Sequence, residues 1–217
     1  MFQNIDFERY SHSRISFYNR LSNFKISDAD ISEPILLDAN FFEKIDTHLL
    51  YYINRRSEET KFTTQENREY KRIIKSEFPE VIPVFDHKGP TIYWFKINYA
   101  NDISNEMILN QYGSKKNNKN GWWTKHDLRR KDASTNVLYL GKIEAALENR
   151  FLQHIGIGHN YTTALKLCKW LPDLKGLTLT FQFLKLNNEM KIYLEDIENV
   201  MWRELNPLMG ASPRIKE

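Results

Sequence analysis

The stretch from Val137 to Arg150 reads V-L-Y-L-G-K-I-E-A-A-L-E-N-R. Its first four residues, Val137-Leu138-Tyr139-Leu140, form a short apolar run of strand-like composition, and Gly141 cuts it. Beyond the cut, Leu147, Phe151 and Ile155 recur at four-residue spacing, which places them on one face of a helix. Arg150 rides beside that apolar stripe, so the helix holds a cation at the edge of the core. A strand, a turn and a helix are therefore expected here.

Working outward, Thr91-Ile92-Tyr93-Trp94-Phe95-Lys96-Ile97 is β-branched and aromatic, as a strand prefers. Downstream, a strand is expected over Leu177–Leu184 and a last helix from about Met190 to Leu205. On that helix Leu194, Ile197, Met201 and Leu205 make the apolar face, and Glu198 stands four residues after Leu194 and three before Met201. A carboxylate inside a buried stripe is costly unless it is paired or binds a metal. A structural ion pair with a residue such as Arg150, and a metal site, both satisfy that requirement.

Taken in order, Thr91-Ile92-Tyr93, Tyr139-Leu140-Gly141, Leu147-x-x-Arg150, Glu198 and the Pro207 that closes its helix resemble the GIY-YIG nuclease family. The resemblance covers about residues 90–217. It implies an α/β fold, a small domain with a three-stranded antiparallel sheet flanked by helices, over residues 89–217. It also implies a metal-dependent endonuclease that hydrolyses phosphodiester bonds of DNA, most naturally a double-stranded substrate. Glu198 then binds Mg2+ or Mn2+, for which oxygen ligands are suited, and Arg150 neutralises the phosphate. Tyr93 accepts the proton of the attacking water, Tyr139 positions water or phosphate, and Lys142 and His154 assist. Thr91 stands in place of the family's first glycine, and Gly210 at the position where many members carry an asparagine. Restriction or genome defence is the expected role, with repair, intron homing and phage-borne roles left open. A nucleic-acid-binding module without turnover is the alternative. The oligomeric state stays open, a homodimer being one option.

The connection between the first two strands, residues 98–135, reads as an insertion. Ser104–Gln111 has the composition of a short helix. From Lys115 to Lys131 the chain carries Lys115, Lys116, Lys119, Lys125, Arg129, Arg130 and Lys131 against the single acid Asp127, interleaved with Trp122 and Trp123. Cations neutralise phosphates and exposed aromatics stack on bases, so these nine residues are candidate nucleic-acid contacts. The formal net charge is only +3. Residues 89–136, however, hold 8 Lys+Arg against 4 Asp+Glu, whereas residues 1–88 hold 13 against 15 and residues 137–217 hold 10 against 9. Local basic density matters more than the total when the partner is a polyanion.

Residues 1–88 read as a mainly helical N-terminal region, able to contribute to substrate binding, with a module boundary at Pro79–Pro90. Asn40-Phe41-Phe42-Glu43 has the form of a capping box ahead of Phe41, Ile45, Leu49 and Ile53, and Thr63-Thr64-Gln65-Glu66 opens a second helix. Thr162 or Thr163 is expected to cap a helix running through Leu171. The single cysteine, Cys168, excludes an internal disulfide and reads as core. His12, His48 and His87 show no metal-ligand spacing. Neither a membrane-length apolar run nor a leader pattern is visible, so no membrane partner and a cytoplasmic location are expected.

Overall fold

Every second residue of Thr91–Asn98 faces a packed layer, and five of the eight are buried. In the computed structural model, which describes residues 30–54, 63–98, 102–116, 135–157 and 164–210, this segment is the inner strand β2. The organising stretch supplies its neighbour β3 (Val137–Ile143), antiparallel, with Tyr93 opposite Gly141 and Phe95 opposite Tyr139. On the other side β4 (Thr178–Lys185) runs antiparallel, setting Phe183 opposite Tyr93 and Phe181 opposite Phe95.

The sheet has a fourth strand. Ile35–Leu37, β1, pairs with β4 from Ile35 opposite Phe181 to Leu37 opposite Leu179, giving the order β1-β4-β2-β3. The three-stranded sheet is thus corrected to four, all antiparallel. Pro34 and Asp38 bound a run of three apolar residues, too short for periodicity to reveal, and its alternation shows only against β4, with Ile35 and Leu37 buried and Leu36 half exposed. At the opposite side of the sheet the Leu208 and Met209 amides donate to the Val137 and Leu138 carbonyls, each at 2.8 Å. These bonds satisfy part of an otherwise open strand edge.

Helix α1 (Ala39–Asn54) starts one step earlier than its expected cap. Asp38 Oδ1 accepts from the Phe41 amide at 2.8 Å, so Asp38, rather than Asn40, caps it. Phe41, Ile45 and Leu49 are buried along one face, as their spacing predicts. Helix α2 (Thr64–Glu77) has the expected capping box: Thr63 Oγ1 accepts from the Glu66 amide at 3.2 Å and Glu66 Oε2 from the Thr63 amide at 2.7 Å. A short α3 (Ile82–Asp86) leads into β2.

These helices share one core with the sheet. Phe41, Ile45, Tyr70, Ile74 and Phe78 belong to the same cluster as Tyr93, Phe95, Phe151 and Phe181. Residues Ile31–Glu217 form one compact unit, and the Pro79–Pro90 stretch lies within it.

The short helix expected in the insertion is α4 (Asn105–Lys116), longer than its reading, with Ile108, Leu109 and Tyr112 buried and Tyr112 edge-on to Trp170 at 5.7 Å. Helix α5 (Leu147–Ile155) buries Leu147, Phe151 and Ile155 and ends at Gly156, whose φ of +120° suits glycine alone. A β-carbon there would also collide with Cys168 Sγ.

The helix expected up to Leu171 is absent from the described residues 164–171. Two 3-10 turns, Leu167–Lys169 and Leu171–Asp173, stand there, preceded by Lys166 in the left-handed region and tied by the Trp170 Nε1–H donating to the Leu165 carbonyl at 2.9 Å. The apolar residues are buried as expected, but by a path that Pro172 and Lys166 keep from becoming helical. The last helix proper is α6 (Leu194–Leu205), its expected first turn being a 3-10 segment, Asn188–Tyr193, capped by Asn187. Among the described residues, no helix is long and apolar enough to cross a membrane.

Candidate active site

Antiparallel pairing brings the Tyr93 ring across Gly141. A β-carbon at Gly141 would lie 2.5 Å from Tyr93 Oη and 2.9 Å from the Tyr139 ring, so only glycine lets the Tyr93 hydroxyl rest over β3. The two tyrosines sit with ring centroids 6.1 Å apart, both buried.

The register of α5 then aims two side chains, Arg150 and His154, at these hydroxyls. Arg150 Nε–H donates to Tyr93 Oη at 3.0 Å, one Nη2 hydrogen to Tyr139 Oη at 3.4 Å, and one Nη1 hydrogen to Gln153 Oε1 at 3.1 Å. His154, one turn on and fully buried, places Nε2 3.1 Å from Tyr93 Oη. Its Nδ1 accepts the Leu165 amide at 3.1 Å. A nitrogen that accepts carries no proton, so the neutral ring is protonated at Nε2 and donates to the phenol. Tyr93 Oη is therefore met by two N–H donors, and its own proton must point elsewhere.

Burial pushes the Tyr93 phenol well above its ordinary value, and the neighbouring Tyr139 adds to this, while the Arg150 charge and hydrogen bond pull it down. For Arg150, burial works against the charge, but the two phenols outweigh it and its pKa is raised. A guanidinium carries five N–H groups. Two are left beyond the three bonds to Tyr93, Tyr139 and Gln153, one on each terminal nitrogen.

Lys142 and Glu198 form a second group. Alternation along a strand turns Lys142 to the face opposite Gly141, and there its ammonium pairs with Glu198 Oε2 at 3.2 Å. The Glu198 side chain is 15% exposed, so the expected burial of this carboxylate holds. The partner anticipated for it does not: Lys142 takes the place proposed for Arg150, which is turned to the tyrosines. Burial raises the Glu198 pKa, Lys142 opposes it and Glu195 adds to it.

Among the described residues, no three His, Cys, Asp or Glu side chains gather as a metal-binding group. Glu198 fits the weaker requirement of a single-carboxylate site. A carboxylate offers about four acceptor positions, of which Lys142 occupies one, and its hard oxygen donors suit Mg2+ or Mn2+.

Thr91, in place of a glycine, is fully buried with a satisfied hydroxyl: it donates to the Gly89 carbonyl at 3.0 Å and lies 2.7 Å from His87 Nε2. Gly210 has φ +112°, and a β-carbon there would press on the Tyr139 ring at 3.3 Å. Cys168 is not a nucleophile at neutral pH, because burial pushes its thiol up to about 12. His48 lies 3.7 Å from Glu77, away from the tyrosines.

Of the six catalytic candidates, Tyr93, Tyr139, Arg150 and His154 form one connected network, and Lys142 and Glu198 form a pair on the same strand. Two members escaped the sequence reading. Gln153 lies at the three-residue helical spacing from Arg150 that makes contact natural, whereas the Leu165 amide has no signal in its side chain. Lys115 and Lys116 close α4. Lys119, Trp122, Trp123, Lys125, Arg129, Arg130 and Lys131 lie outside the described residues, as does His12. Comparison with protein-family models, with curated proteins and with solved structures finds no match for this chain.

Proposed function

We propose that this protein is a metal-dependent endonuclease that hydrolyses DNA phosphodiester bonds in the manner of GIY-YIG nucleases, serving restriction or genome defence. The observation that carries this reading is the Tyr93 hydroxyl held between Arg150 Nε and His154 Nε2. Two donors favour the ionised over the neutral phenol and oppose the burial that holds its proton on, so Tyr93, once deprotonated, is the group placed to take a proton from an attacking water. Arg150 links this base to the phosphate: its remaining N–H groups can hold phosphate oxygens while Nε stabilises the phenolate. Tyr139 and Gln153 fix the guanidinium plane, and His154, locked in one tautomer by the Leu165 amide, keeps the phenol from rotating. Glu198 is the residue to hold Mg2+ or Mn2+, and a bound cation supplies charge neutralisation and help for the leaving oxygen. Lys142 orients that carboxylate.

A second reading, a nucleic-acid-binding module without turnover, is favoured by one observation. The Gly210 position carries no side chain and its place is closed by the Tyr139 ring.

Purified protein incubated with supercoiled plasmid should nick or cut it in Mg2+ or Mn2+ and not in chelator, and Glu198→Ala should be inactive. Equal cleavage by wild type and Glu198→Ala would remove the carboxylate from the mechanism. Binding without cleavage by either would favour the second reading. Single-stranded DNA and RNA in the same series identify the substrate.

A further inference from the structure

One side chain of the tyrosine network is engaged at only one of its ends. Gln153 Oε1 accepts from Arg150 Nη1 at 3.1 Å. A guanidinium has donors and no acceptor, so the carboxamide can meet it only through its oxygen, and this fixes which way round the amide lies. The Nε2 end, with two N–H groups, is left for another partner. Among the described residues it meets no acceptor.

That end lies within reach of solvent. Between Phe151 and Ile157 every residue is buried except Gln153, which is half-buried. Arg150 is half-buried too, and their three-residue spacing on α5 sets the two side chains next to each other. One partly open flank of the helix therefore presents the free N–H groups of Arg150 beside those of Gln153. Glu148, the acid nearest to them along the chain, is already engaged by Lys71 and Lys88.

Such a rim has donors and a fixed positive charge, so its ligand is an anion with more than one acceptor oxygen. A phosphodiester has two non-bridging oxygens. Nε2 shares its carbon with the Oε1 that is bonded to Nη1, so a phosphate reaching the free Nη1 hydrogen comes within an amide's width of Nε2. One oxygen can then take the guanidinium and the other the amide.

We propose that Gln153 is a substrate contact: its amide nitrogen donates to a non-bridging oxygen of the phosphate that Arg150 holds, while its oxygen keeps the guanidinium in place. This rests on the nuclease reading and adds a neutral donor to the phosphate grip. The contact contributes affinity without charge, and that separates it from the part Gln153 plays through Arg150.

The test is equilibrium binding of a duplex oligonucleotide in chelator across a salt series, with wild type, Gln153→Ala, Arg150→Met and the double variant. Gln153→Ala should bind about tenfold more weakly, the loss of one hydrogen bond to a charged oxygen, with the salt slope unchanged because a neutral amide displaces no counterion. Arg150→Met should show a slope about 0.9 shallower, the loss of one charged phosphate contact on B-DNA. Adding Gln153→Ala to Arg150→Met should weaken binding again by a similar factor. If methionine at 150 unfolds the protein, Arg150→Lys takes its place in the cycle, since it keeps a cation by the phenols and has no fork for Gln153 to hold. Wild-type affinity in Gln153→Ala, or a loss that disappears once Arg150 is replaced, would overturn the proposal, and cleavage by wild type would then leave the nuclease reading standing. A wild type that neither binds nor cuts any nucleic acid would overturn both.

Discussion

Glu148→Gln tests how α5 is held in the position from which Arg150 acts. Glu148 lies two residues before Arg150, its side chain 11% exposed, and it receives two lysines from other parts of the chain: Lys71 of α2 at 2.5 Å and Lys88, ahead of β2, at 3.1 Å. Burial alone raises the pKa of this carboxyl, but the hydrogen bonds and charges of Lys71 and Lys88 outweigh burial, so its net shift is downward. The two arms differ in worth. Lys71 is 35% exposed, and a charged hydrogen bond to a buried carboxylate contributes about 1.5–3 kcal/mol, less what water screens. Lys88 is 59% exposed, and a pair of that kind contributes about 0.2–1 kcal/mol. Glutamine keeps the shape and one acceptor, so the expected loss is about 2 kcal/mol at neutral pH, a fall of about 4–8 °C in Tm for a chain of this size. The pH dependence has a definite sign. A carboxyl whose folded pKa is depressed stabilises above its unfolded value, near 4.3, and that contribution disappears as pH falls through the folded pKa. Thermal or urea unfolding of both proteins should show a gap that is full at pH 7 and closes in acid. Equal midpoints at pH 7, or a gap undiminished in acid, would refute the clasp.

Gly141→Ala should abolish cleavage and lower stability, since its β-carbon must displace the buried Tyr93 hydroxyl; digestion and unfolding curves check both, and retained cleavage would show that the hydroxyl need not rest there. Under the proposed mechanism the rate should rise with pH through neutrality, about tenfold per unit, because there Tyr93 acts when deprotonated and burial raises its pKa well above its ordinary value. Tyr93→Phe should lose both the rate and that slope, and a flat wild-type profile would exclude a phenol as the base.

The tyrosine site was legible because its signals are short-range. One glycine after Tyr139-Leu140 marks where a ring must pass, and the four-residue spacing of Leu147, Phe151 and Ile155 fixes the direction in which Arg150 and His154 point. What failed was what depends on a distant partner. Ile35–Leu37 is a strand only because Phe181 and Leu179 lie opposite. From Ala164 to Leu171 the apolar residues announce burial, but burial is equally satisfied by a helix or by two 3-10 turns, and the choice is made at Lys166 and Pro172.

Glu198 shows both regimes in one residue. Helix periodicity determines that its carboxylate is largely buried, and strand alternation after Gly141 determines which cation reaches it. With Lys142 there, Arg150 is not needed to neutralise Glu198 and stays on the tyrosines. An arginine paired to Glu198 would have its charge already neutralised by a carboxylate and so offer less to another anion. The division of labour between the two cations therefore follows from one position of register: Gly141 admits the Tyr93 hydroxyl on one face of β3, and the next residue, on the other face, takes up the acid that would otherwise compete for Arg150.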